Sequence, residues 1–434
     1  LLTGKADMML AGAVSAADPF FVNMGFSIFQ AYPENQVHAP FDQESQGLFA
    51  GEGAGMMVLK RHSDAVRDGD KIYALIKGGA LSNDGKGEFV LSPNTKGQVL
   101  VYERAYQNAD VDPTEVDYVE CHATGTPKGD KVELASMSSF FSRYQHKPLL
   151  GSVKSNLGHL LTAAGMPGMT KAIWALNEGL IPATINLQQM LPTADNYFTT
   201  KNIPTESTPW PSRQSDKARI AGVSVFGFGG SNAHLVIQQA NDLVPDAPAL
   251  AKDVESLAII GMDAHFGRAD SLSAFQYLLQ TQDHTFIELP EQRWRGMEAD
   301  QQLMQRLALT KAPLGGYIDH FSVDFLRFKI PPNDDDCLIP QQLLMMKVAD
   351  NAILDAGLQA GENVAVLVAM GMELELHQYR GRVNLTTQII SCLQAQGIEL
   401  TSEQQQELIT IAKAGMGNAA QLNQYTSFIG NIMA

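Results

Sequence analysis

Cysteine is scarce in this chain. The three present among 434 residues, Cys121, Cys337 and Cys392, cannot build a disulfide framework, and none stands at metal-ligand spacing. A reducing cytoplasm is the default location, and no metal site is expected. Long hydrophobic runs are missing too. The longest apolar stretch, around Val364 to Met372, is far short of a bilayer span. No basic segment with an apolar region and cleavage site opens the chain. Positive charge is in deficit, with 31 Lys+Arg against 47 Asp+Glu and a net charge of −16, which argues against nucleic acid or membrane as the main partner. The deficit is uneven: residues 1–240 hold 19 basic and 23 acidic residues, whereas 241–434 hold 12 and 24. Such a surplus usually marks a solvated surface, and no site is drawn from it.

What is present is the pattern of an α/β protein with a large core: 45% hydrophobic and 18% charged residues over a length that allows two domains. MMLAGAVS, GMMVLKR, KIYALIKGGAL, DYVECHA, RIAGVSV and AHLVIQQ read as strands. GQVLVYERAYQNA, VELASMSSFFSRY and GHLLTAAGMPGMTKAIWALNEG read as helices. NDLVPDAPALAKD, residues 241–253, carries two prolines and no periodicity, coincides with the charge shift, and is the linker candidate. Beyond it SLAIIGM and NVAVLVAM read as strands. SLSAFQYLLQ, Pro340 to Gly357, Thr386–Ala395 and Glu403–Ala414 read as helices, with Leu344, Val348 and Ala352 on one face of the second. The chain begins at Leu1 and ends within the apolar segment NIMA, so a fragment of a longer polypeptide is expected.

Three glycine-bearing segments could carry chemistry: HATGTPKGD, GSVKSNLGHLLTAAG and VSVFGFGGSNAH. Each alone has a plain structural explanation. Together they bring His122, His159 and Lys154 without an evident carboxylate relay. Two neutral imidazoles can each donate an N–H to one developing oxyanion, and a lysine can bias their protonation. That suits enolate chemistry beside a thioester. GEGAG at 51–55 lacks the lysine and Ser/Thr of a phosphate loop and reads as a tight strand entry.

VECHATGTPKGD, GSVKSNLGHLLTAAG and GVSVFGFGGSNAH, with FDQESQGLFAGEGAGMMVLKR ahead of them, resemble the motifs of β-ketoacyl-ACP synthases, in that family's order. The resemblance implies a thiolase-like fold, layered α-β-α-β-α, and decarboxylative Claisen condensation. It implies that His122 and His159 stabilise the enolate and that Lys154 assists them. Phe228 and Gly229 match the gating and oxyanion segment, with Phe226 supporting it. Thr124 and Thr126 match pantetheine-contacting threonines. Glu133 matches an acidic position, either a partner of Lys154 or a helix N-terminal acid. Asn156 fits a loop-bracing or a substrate-side role. No cofactor is bound directly; the phosphopantetheine arm of an acyl carrier protein brings the substrate. The family's nucleophilic cysteine lies upstream of all these motifs and is expected before Leu1, which leaves Cys121 a buried bystander.

Residues 254–434 resemble the front of a second copy, through VESLAIIGMDAHFGRADSLSAFQYLL, ELPEQRW, IPQQLLMMKVADNAILDAGL and NQYTSFIGNIMA. Ile339, Leu343 and Lys347 replace the Asp, Arg and Glu usual there, which fits a silent chain-length-factor partner. The expected organisation is therefore 1–240, the C-terminal portion of a ketosynthase; 241–253, a linker; and 254–434, the N-terminal portion of a chain-length-factor domain. This is most similar to a bacterial polyunsaturated fatty acid synthase subunit, with tandem modules of a modular polyketide synthase or a non-catalytic pairing region as alternatives. The implied partners are acyl carrier protein domains, other synthase subunits, and a ketosynthase/chain-length-factor pair or homodimer. Such a fragment is expected to be inactive alone, with apolar sheet faces left bare in each half.

Overall fold

The computed structural model describes residues 1–16, 26, 31–85, 92–193, 196–211, 217–227, 230–240, 255–290, 305, 314–328, 340–359, 362–371, 389–390, 392–394 and 396–414. The strands in chain order are β1 (Met8–Ser15), β2 (Gly53–Arg61), β3 (Ala74–Asn83), β4 (Tyr118–Glu120), β5 (Leu149–Gly151), β6 (Leu180–Ile181) and β7 (Thr208–Pro209). They continue as β8 (Ile220–Gly227), β9 (Ser231–Gln238), β10 (Leu257–Phe266), β11 (Ile287–Glu288), β12 (Leu314–Gly315) and β13 (Val364–Met370). Nine of them form one mixed sheet in the order β13-β1-β2-β10-β3-β9-β8-β4-β5. The pairs β6-β7 and β11-β12 stand apart from it.

Unbroken apolar runs suit strands buried on both faces. In β2, Met56 and Val58 join Ala258, Ile260 and the helix Pro340–Asp355 on one side. Met57 and Leu59 join Ile259 and the helix Gly165–Glu178 on the other. The row Leu344, Val348 and Ala352 is fully buried, as its i, i+4, i+8 spacing predicts. Asn94 caps the helix Thr95–Ala109 by accepting the Lys96 N–H, and Ser271 caps Leu272–Thr281 by accepting the Ala274 N–H.

One expected helix is shorter than read. The stretch 158–179 becomes α-helical only at Gly165, after a single 3-10 turn at Leu161–Ala163. Gly158 has φ +75 and Leu161 φ +48, left-handed values that a continuing α-helix does not contain. Between them His159 forms a bridge with Ala50. The interruption frees His159 from helical geometry. The expected helix around Thr386–Ala395 falls largely outside the described residues, whereas Ser402–Ala414 forms close to its expected bounds.

Segments from both sides of residues 241–253 share the large sheet. β10 lies between β2 and β3 and is antiparallel to both, with Phe266 opposite Gly53 and Leu257 opposite Ile76. β13 runs parallel to β1 from Met8/Val364 to Val14/Met370. Polar ties reinforce the joint: the Ile318 N–H donates to Glu52 at 2.9 Å, the Tyr73 hydroxyl to Asp355 at 2.9 Å, and Asn363 to Asp7 at 3.2 Å. The bare sheet faces expected from the sequence are covered at β10, whereas the edge strand β13 leaves Val366, Leu367 and Met370 exposed among the described residues. Ile259, Ile260 and Phe266 of β10 are essentially fully buried, and each such side chain contributes roughly 1.5–3 kcal/mol.

Candidate active site

The loop that carries His122 follows β4. Residues 121–126 turn into the helix Pro127–Phe141, whose opening proline presets the first helical residue. Two acids on that helix, three residues apart, reach back to hold the loop. Asp130 accepts the N–H groups of Thr124 at 2.9 Å, Gly125 at 3.2 Å and Phe41 at 2.8 Å. Glu133 accepts those of His122 at 2.8 Å and Ala123 at 2.7 Å. Burial pushes Asp130 up to about 6 and Glu133 up to about 7, with the donated N–H groups pulling the other way. Gly125 is required here: its φ is +83, and a Cβ would come within 2.6 Å of the Gly47 carbonyl oxygen.

The second loop leaves β5 and carries Lys154 on the short helix Lys154–Leu157. It is tied to the first by the Cys121 N–H donating to Gly151 O at 2.8 Å and by Ser152 Oγ donating to Ala123 O at 2.9 Å. Lys154 is buried, which lowers its pKa, while Glu120 and then Glu133 oppose that effect.

His122 and His159 meet with ring centroids 5.3 Å apart and ring planes at 88°. Both keep partial exposure, as groups reached by a ligand must. Burial, followed by the Lys154 charge, holds His159 down at about 3 and His122 well below the usual imidazole value. Both are neutral near pH 7. The Leu161 N–H donates to His159 Nδ1 at 2.9 Å, so the neutral ring carries its proton on Nε2. His122 Nδ1 is buried and has no hydrogen-bond partner among the described residues. This pair can stabilise an anion through hydrogen bonds without itself being charged.

The remaining expected residues fall as follows. Thr124 Oγ1 and Thr126 Oγ1 are 2.8 Å apart beside the histidine loop. The Phe226 ring lies 5.7 Å from His122. Asn156 is committed to bracing: its Nδ2 donates to Asp283 O at 2.7 Å and its Oδ1 accepts from Ser155 Oγ at 3.0 Å. Glu133 directs both oxygens to backbone N–H groups, and no ion pair joins it to Lys154 among the described residues. Phe228 and Gly229 lie outside the described residues. Cys121 is buried in the core, its thiol donating to Val119 O at 3.4 Å, and burial raises its pKa well above the ordinary thiol value. Among the described residues no group of three His, Cys, Asp or Glu side chains could hold a metal ion, and no helix is long and apolar enough to cross a membrane.

Sequence reasoning missed two members. Asp130 was legible in principle, since three residues before Glu133 places both acids on one helix face. His38 carried no signal. It lies buried between Phe49 and Phe286, with centroids at 5.6 and 5.7 Å, and its Nε2–H donates to Thr124 O at 2.8 Å. Phe286 belongs to the second part of the chain, which thus reaches the catalytic loops.

A mixed-sheet α/β fold that brings two neutral histidines beside a buried lysine is compatible with the condensing-enzyme family that the sequence resembles. Residues 73–188 match the family described as "Beta-ketoacyl synthase, C-terminal domain", and residues 1–65 and 254–420 match "Beta-ketoacyl synthase, N-terminal domain". The chain belongs to the β-ketoacyl synthase family. The two pieces that match the N-terminal domain supply the adjacent strands β13, β1, β2 and β10.

The chain is 39% identical over 448 residues to a polyunsaturated fatty acid synthase subunit of Thraustochytrium sp. (strain ATCC 26185 / S-3), covering 100% of this chain and 21% of that protein. It is 39% identical over 241 residues to a phenolphthiocerol/phthiocerol polyketide synthase subunit of Mycobacterium tuberculosis, covering 56% of this chain and 16% of that one. The solved PfaC Keto synthase-Chain length factor is 72% identical, with 100% of this chain and 46% of that chain covered and a TM-score of 0.57. The ketosynthase from module 6 of the bacillaene synthase of Bacillus subtilis 168 is 34% identical, with 56% and 44% covered and a TM-score of 0.51. The chain thus spans about a fifth or less of the length of these curated relatives.

Proposed function

We propose that this chain carries the enolate-stabilising machinery of a ketosynthase that condenses malonyl-carrier protein with an acyl thioester in polyunsaturated fatty acid synthesis. The carrying observation is the pair of neutral imidazoles, His122 and His159, 5.3 Å apart beside buried Lys154. When the malonyl carboxylate leaves as carbon dioxide, the electrons of the broken C–C bond pass to the thioester, giving an enolate. Its oxygen accepts the His159 Nε2–H and an N–H from His122. The enolate carbon then attacks an acyl group held as a cysteine thioester, forming the new C–C bond and releasing the thiolate. Cys121 does not serve as that cysteine, because its thiol is buried in the core. Thr124 and Thr126 receive the phosphopantetheine arm of an acyl carrier protein.

The second part is proposed to act as a chain-length factor. Leu343, where the family usually has arginine, is buried with Met346 and packs against Phe321 and Phe325. Pairing of ketosynthase with chain-length factor, association with other synthase subunits and a cytoplasmic location follow from the same reading. The 39% identity to a polyunsaturated fatty acid synthase subunit and the 72% identity to a ketosynthase/chain-length-factor structure support it. The test is carbon dioxide release from malonyl-carrier protein by the full-length synthase carrying His122→Ala or His159→Ala. Loss of about 10²–10³ in rate is expected for each. Near-normal release by both would refute the assignment.

A further inference from the structure

Glu120 lies two residues before His122 and is 1% exposed. Its carboxylate joins three elements of the fold. Oε1 accepts the N–H of Val153, the residue before Lys154, at 2.6 Å. Oε2 accepts the Tyr118 hydroxyl and faces the Lys171 ammonium at 3.0 Å. Lys171 belongs to the helix Gly165–Glu178 and is completely buried. Gly168 on that helix makes room for the carboxylate, since a Cβ there would come within 3.0 Å of Glu120 Cγ.

A fully buried lysine–glutamate pair is a weak source of stability, because desolvating both charges offsets most of their attraction. Its placement has a different consequence. Glu133 and Asp130, the other acids that act on Lys154, have their oxygens occupied by backbone N–H groups. Glu120 connects β4, the lysine turn and the helix behind it.

We propose that Glu120, fixed by Lys171 and Tyr118, is the positioning residue for Lys154: it holds the lysine turn through Val153 and keeps a negative charge behind that turn. The proposal rests on the condensing reading above. It accords with the balance at Lys154, where Glu120 stands ahead of Glu133 in opposing the effect of burial.

The test compares Glu120→Gln, Lys171→Met and the double variant in the full-length synthase, with thermal stability and malonyl-carrier-protein decarboxylation as readouts. Glutamine keeps an acceptor for the Val153 N–H but removes the charge, and methionine keeps most of the volume of lysine. Each single variant leaves one buried charge unpaired, and both Tm and kcat should fall. The double variant leaves none, so its Tm should recover, while kcat stays roughly tenfold or more below wild type at unchanged KM, the signature of a lost transition-state interaction. Recovery of kcat along with Tm would make the pair merely structural and overturn the proposal, as would wild-type kcat in the single variants. Tyr118→Phe, which removes one hydroxyl and no charge, gives a gentler probe. It should lower kcat measurably at unchanged KM, and an unaltered kcat would count against the proposal. Failure of the condensing reading shows separately, as full decarboxylation by His122→Ala in the same assay.

Discussion

Acidification should destabilise this fold steeply, and the slope follows from its buried groups. Burial holds His38 at about 4 and His159 and His234 at about 3, with His122 also well below the ordinary value. Each folded value lies below the unfolded one of about 6.5. Their contribution is complete above that pH and lost as pH falls, because the unfolded chain takes up protons that the folded chain refuses. One such group costs about 1.4 kcal/mol per pH unit, and these four with His265, which burial holds at about 4, together at most about 7. The partial exposure of His122 and His159 softens their share.

Asp130 and Glu133 act in the opposite direction. Their folded values of about 6 and about 7 lie above the unfolded carboxylate range. The stability they contribute is fully present below the unfolded pKa and lost as pH rises through the folded one, so acid returns up to about 3 kcal/mol per unit between about pH 6 and 4. The net loss is about 4 kcal/mol per pH unit in that window. Against a total stability of about 5–15 kcal/mol, the folded state should become marginal between about pH 5 and 4. Urea unfolding followed by far-UV circular dichroism at about pH 7, 6 and 5 measures the slope directly. His234 is buried between Ser224 Oγ at 2.9 Å and the Tyr106 hydroxyl at 3.0 Å, away from the reacting pair. His234→Gln should flatten the slope by about 1.4 kcal/mol per unit. Equal stability at about pH 7 and 5 would mean that the imidazoles titrate normally, and the neutral-donor account of the site would fail with it.

Other consequences are simpler to check. With Cys392 exposed and Cys121 buried, maleimide should modify Cys392 in the native chain and leave Cys121 untouched; acylation of Cys121 by an acyl thioester would overturn its assignment as a bystander. Gly125→Ala meets φ +83 and the Gly47 carbonyl oxygen at 2.6 Å, so it should cost about 1–3 kcal/mol in urea unfolding, and a neutral result would contradict the loop geometry. Asn156→Ala leaves the Asp283 carbonyl without its 2.7 Å donor; amide exchange at Thr285, whose N–H donates to Asn156 O at 2.9 Å, should quicken, and unchanged exchange would deny the bracing role.

How much of this was legible in the sequence depends on the range of each interaction. MMLAGAVS and SLAIIGM read as strands because apolar residues fill both faces, and β1 and β10 form there. The candidate site groups were legible because His122, Lys154 and His159 each sit in a short glycine-bearing segment. Partnerships across the chain were not. Nothing local in QVHAPFD says that His38 will support Thr124, and nothing in GMPGMTK says that Lys171 will meet Glu120. The break before Gly165 is hidden because it needs a leucine at positive φ, which TAAG-like helical spacing conceals. The insertion of β10 between β2 and β3 is also a long-range event, decided by which apolar faces remain to be covered.

The functional property follows the same division. Histidine, lysine and glycine at the right spacing identify the groups that could stabilise an enolate, but not the protonation state in which they do it. That state comes from what surrounds them. Phe49 and Phe286 meet edge to face at 5.0 Å beside His38, while burial and then the Lys154 charge keep His159 neutral. Phe286 and the 283–285 segment that holds Asn156 come from beyond residue 254. The second part of the chain therefore bears on the candidate site of the first through packing and loop geometry.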